Sequence, residues 1–356
     1  MANLRTYGEP PFAVALLHGG PGAPGEMAPV ARELASRWSV LEPLQTAMSV
    51  EVQIQELRAV LEERGDPPIT LVGHSWGAWL GVLLAAAHPE LVEHLILVGS
   101  GPFEAHYAAG MLETRLGRLS EEEREEAHTL LAVLDDPGAD SGSALARLGA
   151  LFSKADSYDP LGTDPMDPDS GRLPVQQGIY RSVWDDANRL RAGGELLRRA
   201  GRICCPVLAI HGDHDPHPAQ GVNIPLSAAL IDFRFVLLDR CGHTPWLERQ
   251  ARDRFYALLH EELLRTAGAA AADSMMRVRV QAHGMLTIGI DDPSGVTGLL
   301  LPRAADVAHL IAVLSRSSSF FDHRSCLAFI AGAKVPLSHV LQEGDEVHLY
   351  LPFGGG

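Results

Sequence analysis

The chain has 356 residues, roughly twice the length of a typical domain, so two domains are expected. With 46% hydrophobic and 21% charged residues it has the composition of a soluble globular protein, which excludes wholesale disorder and fibrous structure. The 29 basic and 45 acidic side chains leave a net charge of −16, which argues against a nucleic-acid partner and against docking on an anionic membrane.

Met1-Ala2-Asn3-Leu4-Arg5 lacks the basic start and apolar core of a secretory signal. The longest apolar run, 77–88, is about half of what a bilayer requires. The four cysteines, Cys204, Cys205, Cys241 and Cys326, lack the paired spacing of a zinc site. Reduced thiols in a cytoplasmic protein are therefore expected, with no membrane and no nucleic acid among its partners.

Strand-like and helix-like stretches alternate through the first two-thirds. A short apolar run at 12–17 ends in His18-Gly19-Gly20-Pro21-Gly22. Helical periodicity follows over 27–38 and over 50–64, the latter with Val52, Leu57, Val60 and Leu61 on one side. Residues 69–72 form a buried strand, 76–88 a strongly apolar helix stopped by Pro89, and 94–98 another buried strand. This rhythm predicts a parallel sheet covered on both faces.

The rhythm breaks over 103–200, which is richer in acid, Gly and Pro and contains a helix at 119–134 opened by a Ser120/Glu123 capping box. A loop-and-helix insertion of this kind commonly forms a lid over a site. Its acidity suits a cationic substrate, although a solvated face explains 121–126 equally well. Strands at 206–210 and 233–238 and a helix at 246–264 resume the alternation.

Gly73-His74-Ser75-Trp76-Gly77 is a G-x-S-x-G motif between a buried strand and a helix. A sharp turn there pushes a strained serine out at the sheet edge, beside a helix N-terminus that favours developing negative charge. A nucleophilic serine needs a base and a group to orient that base. In the expected chain order, Ile210-His211-Gly212-Asp213-His214-Asp215 and then Cys241-Gly242-His243-Thr244-Pro245 each follow a buried strand. His243 is the candidate base and Asp215 the candidate orienting acid, with Asp213 as its competitor. Reading His211, Asp213, His214, Asp215 and His217 as a metal cluster is less economical, because sequence neighbours rarely converge on one ion. No metal and no bound cofactor are expected. The backbone N–H groups of Trp76 and Gly20 are the candidate oxyanion donors.

Together these residues resemble the α/β-hydrolase family over 11–266, and the HGGPG loop with Trp76 after the serine resembles its prolyl iminopeptidase branch. The resemblance implies an α/β-hydrolase fold, a mostly parallel sheet with a helical lid at about 103–200, and a Ser75-His243-Asp215 serine hydrolase. The chain departs from the branch at Leu41-Glu42-Pro43-Leu44-Gln45-Thr46, where an acidic-Arg-Gly segment is usual. It departs again at His74, where Gly is usual. Hydrolase chemistry is therefore carried over, and aminopeptidase specificity is not. The substrate class is a small molecule or peptide with an ester, amide or peptide-like acyl bond.

Residues 267–274, with a run of four alanines, form a linker or a helix tail. Met275-Met276 then looks like a former start, and a ββαββ pattern follows, with strands at 278–282, 298–301, 326–330 and 346–351 and a helix at 306–314. The stretch Leu341-Gln342-Glu343-Gly344-Asp345-Glu346-Val347 and the end Leu351-Pro352-Phe353-Gly354-Gly355-Gly356 resemble the MoaD/ThiS sulfur carriers, over 275–356. That resemblance implies an α+β β-grasp domain whose Gly355-Gly356 tail is adenylated and thiocarboxylated, as in molybdopterin-type sulfur transfer. It further implies an ATP-using MoeB/ThiF-like partner and a partner like the molybdopterin-synthase large subunit. The whole chain then reads as a serine hydrolase at 1–266 fused to a carrier. Two alternatives remain: a carrier with the hydrolase fold as passenger, and a hydrolase that processes conjugates of carrier tails.

Overall fold

The buried strands are apolar on alternating sides, and that alternation builds a core on each face of one sheet. The structure, a computed structural model, describes residues 3–22, 24–135, 142–162, 173, 176–273, 275–290, 294–302, 305–317, 321 and 326–351. The chain divides into two compact units, Met1–Leu263 and Leu264–Gly356.

In the first unit, β1 (Leu4–Tyr7), β2 (Val14–Leu17), β3 (Val40–Pro43), β4 (Ile69–His74), β5 (Val92–Val98), β6 (Val207–Gly212) and β7 (Phe233–Leu238) form a seven-stranded sheet. Its order is β1-β3-β2-β4-β5-β6-β7. Only β1 runs antiparallel to its neighbour. Along β2, Ala15 and Leu17 enter one core while Val14 and Leu16 enter the other, and Leu71/Val72 and Leu95/Ile96 divide in the same way. A strand with two buried faces is continuously apolar, which is why these short runs are legible in the sequence.

Helices α1 (Ala28–Leu34), α2 (Val50–Arg64), α3 (Trp76–Ala87), α9 (Gln220–Ala229) and α10 (Arg252–Asp273) connect or follow these strands. The side chain of Ser49 caps α2 by accepting from Val52 N–H. The buried face of α2 is Val50, Gln53, Ile54, Leu57, Val60 and Leu61, whereas Val52 is 55% exposed. Leu57, Val60 and Leu61 lie on the expected face and Val52 does not: Val50, Ile54, Leu57 and Leu61 follow the helical repeat. Helix α3 is apolar all round because it is buried all round, from Trp76 to Ala85.

The insertion between β5 and β6 holds α4 (Met111–Gly117), α5 (Glu121–Asp135), α6 (Gly142–Ala155), α7 (Gln177–Ala192) and α8 (Glu195–Ala200). The capping box closes in both directions: Glu123 N–H donates to Ser120 Oγ at 3.2 Å, and Ser120 N–H to the Glu123 carboxylate at 3.0 Å. Leu116, Leu119, Ala127, Leu148, Leu151 and Ala155 give the insertion a small core of its own. The expected helix at 246–264 is instead a short 3-10 turn, Pro245–Leu247, followed by α10. Of the two readings of 267–274, helix tail and linker, the helix continues: α10 runs through Asp273, and alanine is the strongest helix former.

The second unit comprises β8 (Met275–Ala282), β9 (Val296–Pro302), α11 (Val307–Ser317), β10 (Leu327–Ile330), β11 (Ala333–Val335) and β12 (Glu346–Tyr350). Its sheet has the order β11-β10-β12-β8-β9, with β12 parallel to β8 and every other pair antiparallel. Met276, Val278, Val280 and Ala282 alternate into the core, while Arg277 and Arg279 face outward. Val307, Leu310, Ile311 and Leu314, at helical spacing, supply the α11 side of that core. The three-residue β11 has no signal in the sequence, being too short for any alternation to register. Gly355 and Gly356 lie outside the described residues.

A β-carbon on Gly77 would overlap the carbonyl oxygen of Leu17 and approach that of His18 to 2.7 Å. Gly77→Ala should therefore destabilise the protein by about 1–3 kcal/mol, read as a lower urea midpoint with an unchanged slope.

Candidate active site

Loops leaving the carboxyl ends of β2, β4, β6 and β7 converge at one edge of the first sheet. Ser75 joins β4 to α3 with φ 51° and ψ −111°, a left-handed backbone that non-glycine residues rarely adopt. Its N–H donates to Val98 O at 2.9 Å, and its carbonyl accepts from Ala78 N–H at 3.1 Å. The turn is possible because Gly73 and Gly77 lie against each other's backbone and that of β2, where no β-carbon fits. Trp76 follows as the first residue of α3, and a first-turn N–H has no partner within its own helix. Its indole donates to Gln53 Oε1 at 3.1 Å, which accounts for the one polar residue on the buried face of α2.

Across the cleft edge stands the loop after β2. His18 is fully buried, and burial holds its ring below the ordinary histidine range and hence neutral. Gln45 N–H donates to His18 Nε2 at 3.3 Å, so the ring proton sits on Nδ1 and is donated to Gly19 O at 2.8 Å. The Gly19 carbonyl and the Gly20 N–H share one peptide plane and point in opposite directions. Fixing the first therefore aims the second away from His18.

Asp215 lies in the loop after β6, and its side chain is fully buried. Its Oδ2 is 2.8 Å from His243 Nδ1. Oδ1 accepts the backbone N–H of His217 at 2.9 Å and lies 2.7 Å from His217 Nδ1. His211 is 3.6 Å from Oδ2 and 2.8 Å from His217 O. Asp213, the competing acid, accepts Cys241 N–H at 3.0 Å and so ties the β6 loop to the β7 loop. Burial alone would raise the Asp215 carboxyl, but the surrounding His243, His217 and His211 hold it well below the usual range. His243 is opposed by burial too, yet the Asp215 carboxylate raises its ring above the ordinary value. His217 goes the other way: burial outweighs Asp215 and takes it down to about 4, so it is neutral near pH 7.

The donor atoms of Asp215, His217 and His243 lie within 4.8 Å of one another, which makes these the side chains able to hold a cation among the described residues. The two imidazoles are engaged with the carboxylate, His217 at Oδ1 and His243 at Oδ2.

The structure joins Asp215 to His243 and sets Gly19 so close to the serine that a β-carbon at position 19 would come within 3.1 Å of Ser75 Cβ. Four contributors had no reading in the sequence. Arg115 of α4 makes a bidentate pair with Asp156 at 2.7 Å on both arms, and Asp156 O accepts His243 N–H at 2.8 Å. Arg118 reaches His214 O at 2.8 Å. Glu248, wholly buried, accepts from Gly242, Tyr158 and Asp159 N–H at 2.8–3.0 Å and so binds the β7 loop to the insertion. Such carboxylate and guanidinium clamps act between distant segments, and no local spacing announces them. His74 and His217 stand inside motifs that were visible, but their partners were not.

Residues 13–250 match the alpha/beta hydrolase fold family. The chain belongs to that family. Proline iminopeptidase of Lactobacillus helveticus is 24% identical over 283 residues, covering 72% of this chain and 90% of the relative. Lipase LipV of Mycobacterium tuberculosis is 36% identical over 56 residues, a stretch of 16% of this chain and about a fifth (22%) of the lipase. Among solved structures, VinJ superposes with a TM-score of 0.54 at 19% identity, over 74% of this chain and 94% of VinJ. This hydrolase-family chain has no helix among its described residues long and apolar enough to cross a membrane.

The two carboxylates of the β6 loop are separable by titration. Asp215→Asn removes the charge that offsets burial, so the His243 midpoint should fall below the ordinary value of about 6.5. Asp213→Asn should leave it raised. Histidine ring NMR titration of the two variants reads the difference.

Proposed function

We propose that the first unit is a serine hydrolase acting on an ester, amide or peptide-like acyl bond. The observation that carries this reading is the left-handed Ser75 at the start of α3, placed at the same sheet edge as the hydrogen-bonded His243–Asp215 pair. In this reading Ser75 Oγ attacks the acyl carbon, and the His243 ring takes its proton as the bond forms. Asp215 keeps the Nδ1 proton in place and stabilises the imidazolium. The N–H groups of Trp76 and Gly20 receive the negative oxygen of the tetrahedral intermediate. Collapse expels the leaving group, which takes the proton from His243. Water, deprotonated by His243, then attacks the acyl-enzyme and returns the serine. The similarity to a proline iminopeptidase over nine-tenths of that enzyme supports small peptides or amides among the substrates.

For the second unit we propose a MoaD/ThiS-like β-grasp carrier, made in one chain with the hydrolase. Supporting it are the mixed five-stranded sheet with its parallel β12–β8 pair, the helix between the two outer hairpins, and the stretch Pro352-Phe353-Gly354-Gly355-Gly356. The Gly356 carboxylate would be adenylated with ATP by a MoeB/ThiF-like enzyme and then take up sulfur for a partner resembling the molybdopterin-synthase large subunit.

The hydrolase reading predicts that a fluorophosphonate probe labels the protein and that Ser75→Ala abolishes labelling. The same substitution should lower ester hydrolysis at least about 1000-fold. Labelling of the variant as strong as that of the parent protein contradicts it. The carrier reading predicts that intact mass spectrometry after incubation with an adenylating enzyme, ATP and a sulfur donor finds sulfur in place of one oxygen. An unchanged mass with several such enzymes contradicts that.

A further inference from the structure

Beneath Ser75, three loops are joined by one side-chain pair to which the mechanism above gives no part. Glu26 stands in the turn before α1, and His74 ends β4, directly before Ser75. Glu26 Oε1 accepts the N–H of Gly19 at 2.5 Å and lies 2.6 Å from His74 Nδ1. On the other edge of the ring, His74 Nε2 is 3.0 Å from the carbonyl oxygen of His243. The His74 side chain is 2% exposed and that of Glu26 17%. The His74 ring is stacked at a tilt 4.7 Å from the His243 ring and meets Trp246 edge-on at 4.7 Å.

Hydrogen-bond geometry fixes how this pair joins the loops. A backbone carbonyl can only accept, so His74 Nε2 donates. Glu26 Oε1 accepts from Gly19 N–H and meets His74 Nδ1 with the same atom, so one oxygen bridges the loop after β2 and the ring. The room for it is made at Gly19, where a β-carbon would overlap Glu26 Oε1 and come within 2.8 Å of His74 Nδ1.

We propose that Glu26 is a positioning residue for the hydrolytic reaction, acting in two directions at once. Through Gly19 it fixes the loop that presents the Gly20 N–H, and through His74 it fixes the backbone of the base, His243. The His243 main chain is then held at both polar atoms, its carbonyl by His74 and its N–H by Asp156 O at 2.8 Å. Glutamine cannot replace Glu26, although it has the same shape. One atom must face both Gly19 N–H and His74 Nδ1. An amide oxygen there accepts from Gly19 N–H but, being uncharged, is a weaker partner for the ring than a carboxylate. An amide nitrogen there opposes the Gly19 N–H.

This inference rests on the serine hydrolase reading, and its test separates the two. With the full-length chain and p-nitrophenyl acetate, Glu26→Gln should lower kcat roughly 10- to 100-fold with KM nearly unchanged. Binding of phenylboronic acid, which forms a tetrahedral adduct on the serine, should weaken by the same factor. Because the two residues share the arm that runs through His74 to His243, the losses from Glu26→Gln and His74→Gly should combine to less than their sum. Independently of any variant's folding, nitrogen-15 NMR of the histidine-labelled parent protein should show a proton on His74 Nε2, the nitrogen that faces the His243 carbonyl. A His74 ring without a proton on Nε2, a kcat equal to that of the parent protein, a rise in KM alone, or additive losses would each overturn the role of Glu26. Absence of hydrolysis and of fluorophosphonate labelling in the parent protein would overturn the hydrolase reading as well.

Discussion

A left-handed turn at Ser75 is the constraint from which the geometry of the site follows. Holding a non-glycine residue at φ 51° costs about 1–3 kcal/mol, and the turn persists only because its surroundings over-determine it. Gly73 and Gly77 let β4, α3 and β2 approach to distances at which any β-carbon would clash, and the Ser75 N–H is tied to β5 through Val98 O. Strain at Ser75, close packing at the glycines and the all-apolar α3 are one feature seen at three scales. The sheet supplies the rigidity, and the turn uses it to present a hydroxyl beside an unsatisfied helix N-terminus.

Around that point the electrostatics are arranged about a single buried carboxylate. Asp215 is faced by His243, His217 and His211, and burial divides the histidines between different states. His243 is held above the ordinary value by its direct bond to Asp215, whereas His217, on the same carboxylate, is pushed down to about 4 by burial. One carboxylate therefore raises one imidazole while a second stays a neutral hydrogen-bond partner, which leaves the negative charge directed at His243. The clamps made by Glu248, Arg115 and Asp156 lie one layer farther out and hold the β7 loop against the insertion.

Much of this was legible in the chain, for identifiable reasons. Continuous apolar strands such as 14–17 and the all-apolar α3 stand out because both faces are buried, so burial and local pattern agree. The Gly-x-Ser-x-Gly turn is local, and its chemistry travels with its spacing. Where local pattern and tertiary demand part company, the sequence misled. Val52 is apolar and exposed, and Gln53 is polar and buried because the indole of Trp76 needs an acceptor. Glu26 gave no signal at all, since its meaning lies in Gly19 and His74, and the latter is 48 positions away.

By itself, the sequence determined the periodicities that make an α/β sheet, the serine elbow with its downstream acid and histidine loops, and a separate alternating pattern after Met275. These are properties of neighbours along the chain, where spacing and side-chain volume are enough. Tertiary structure alone decided which aspartate meets His243, which histidine is neutral, and how Glu26, His74 and the His243 backbone are linked. The reason is that hydrogen bonds and charge interactions depend on distance and burial between segments that the sheet brings together, and neither quantity is written in the order of the residues.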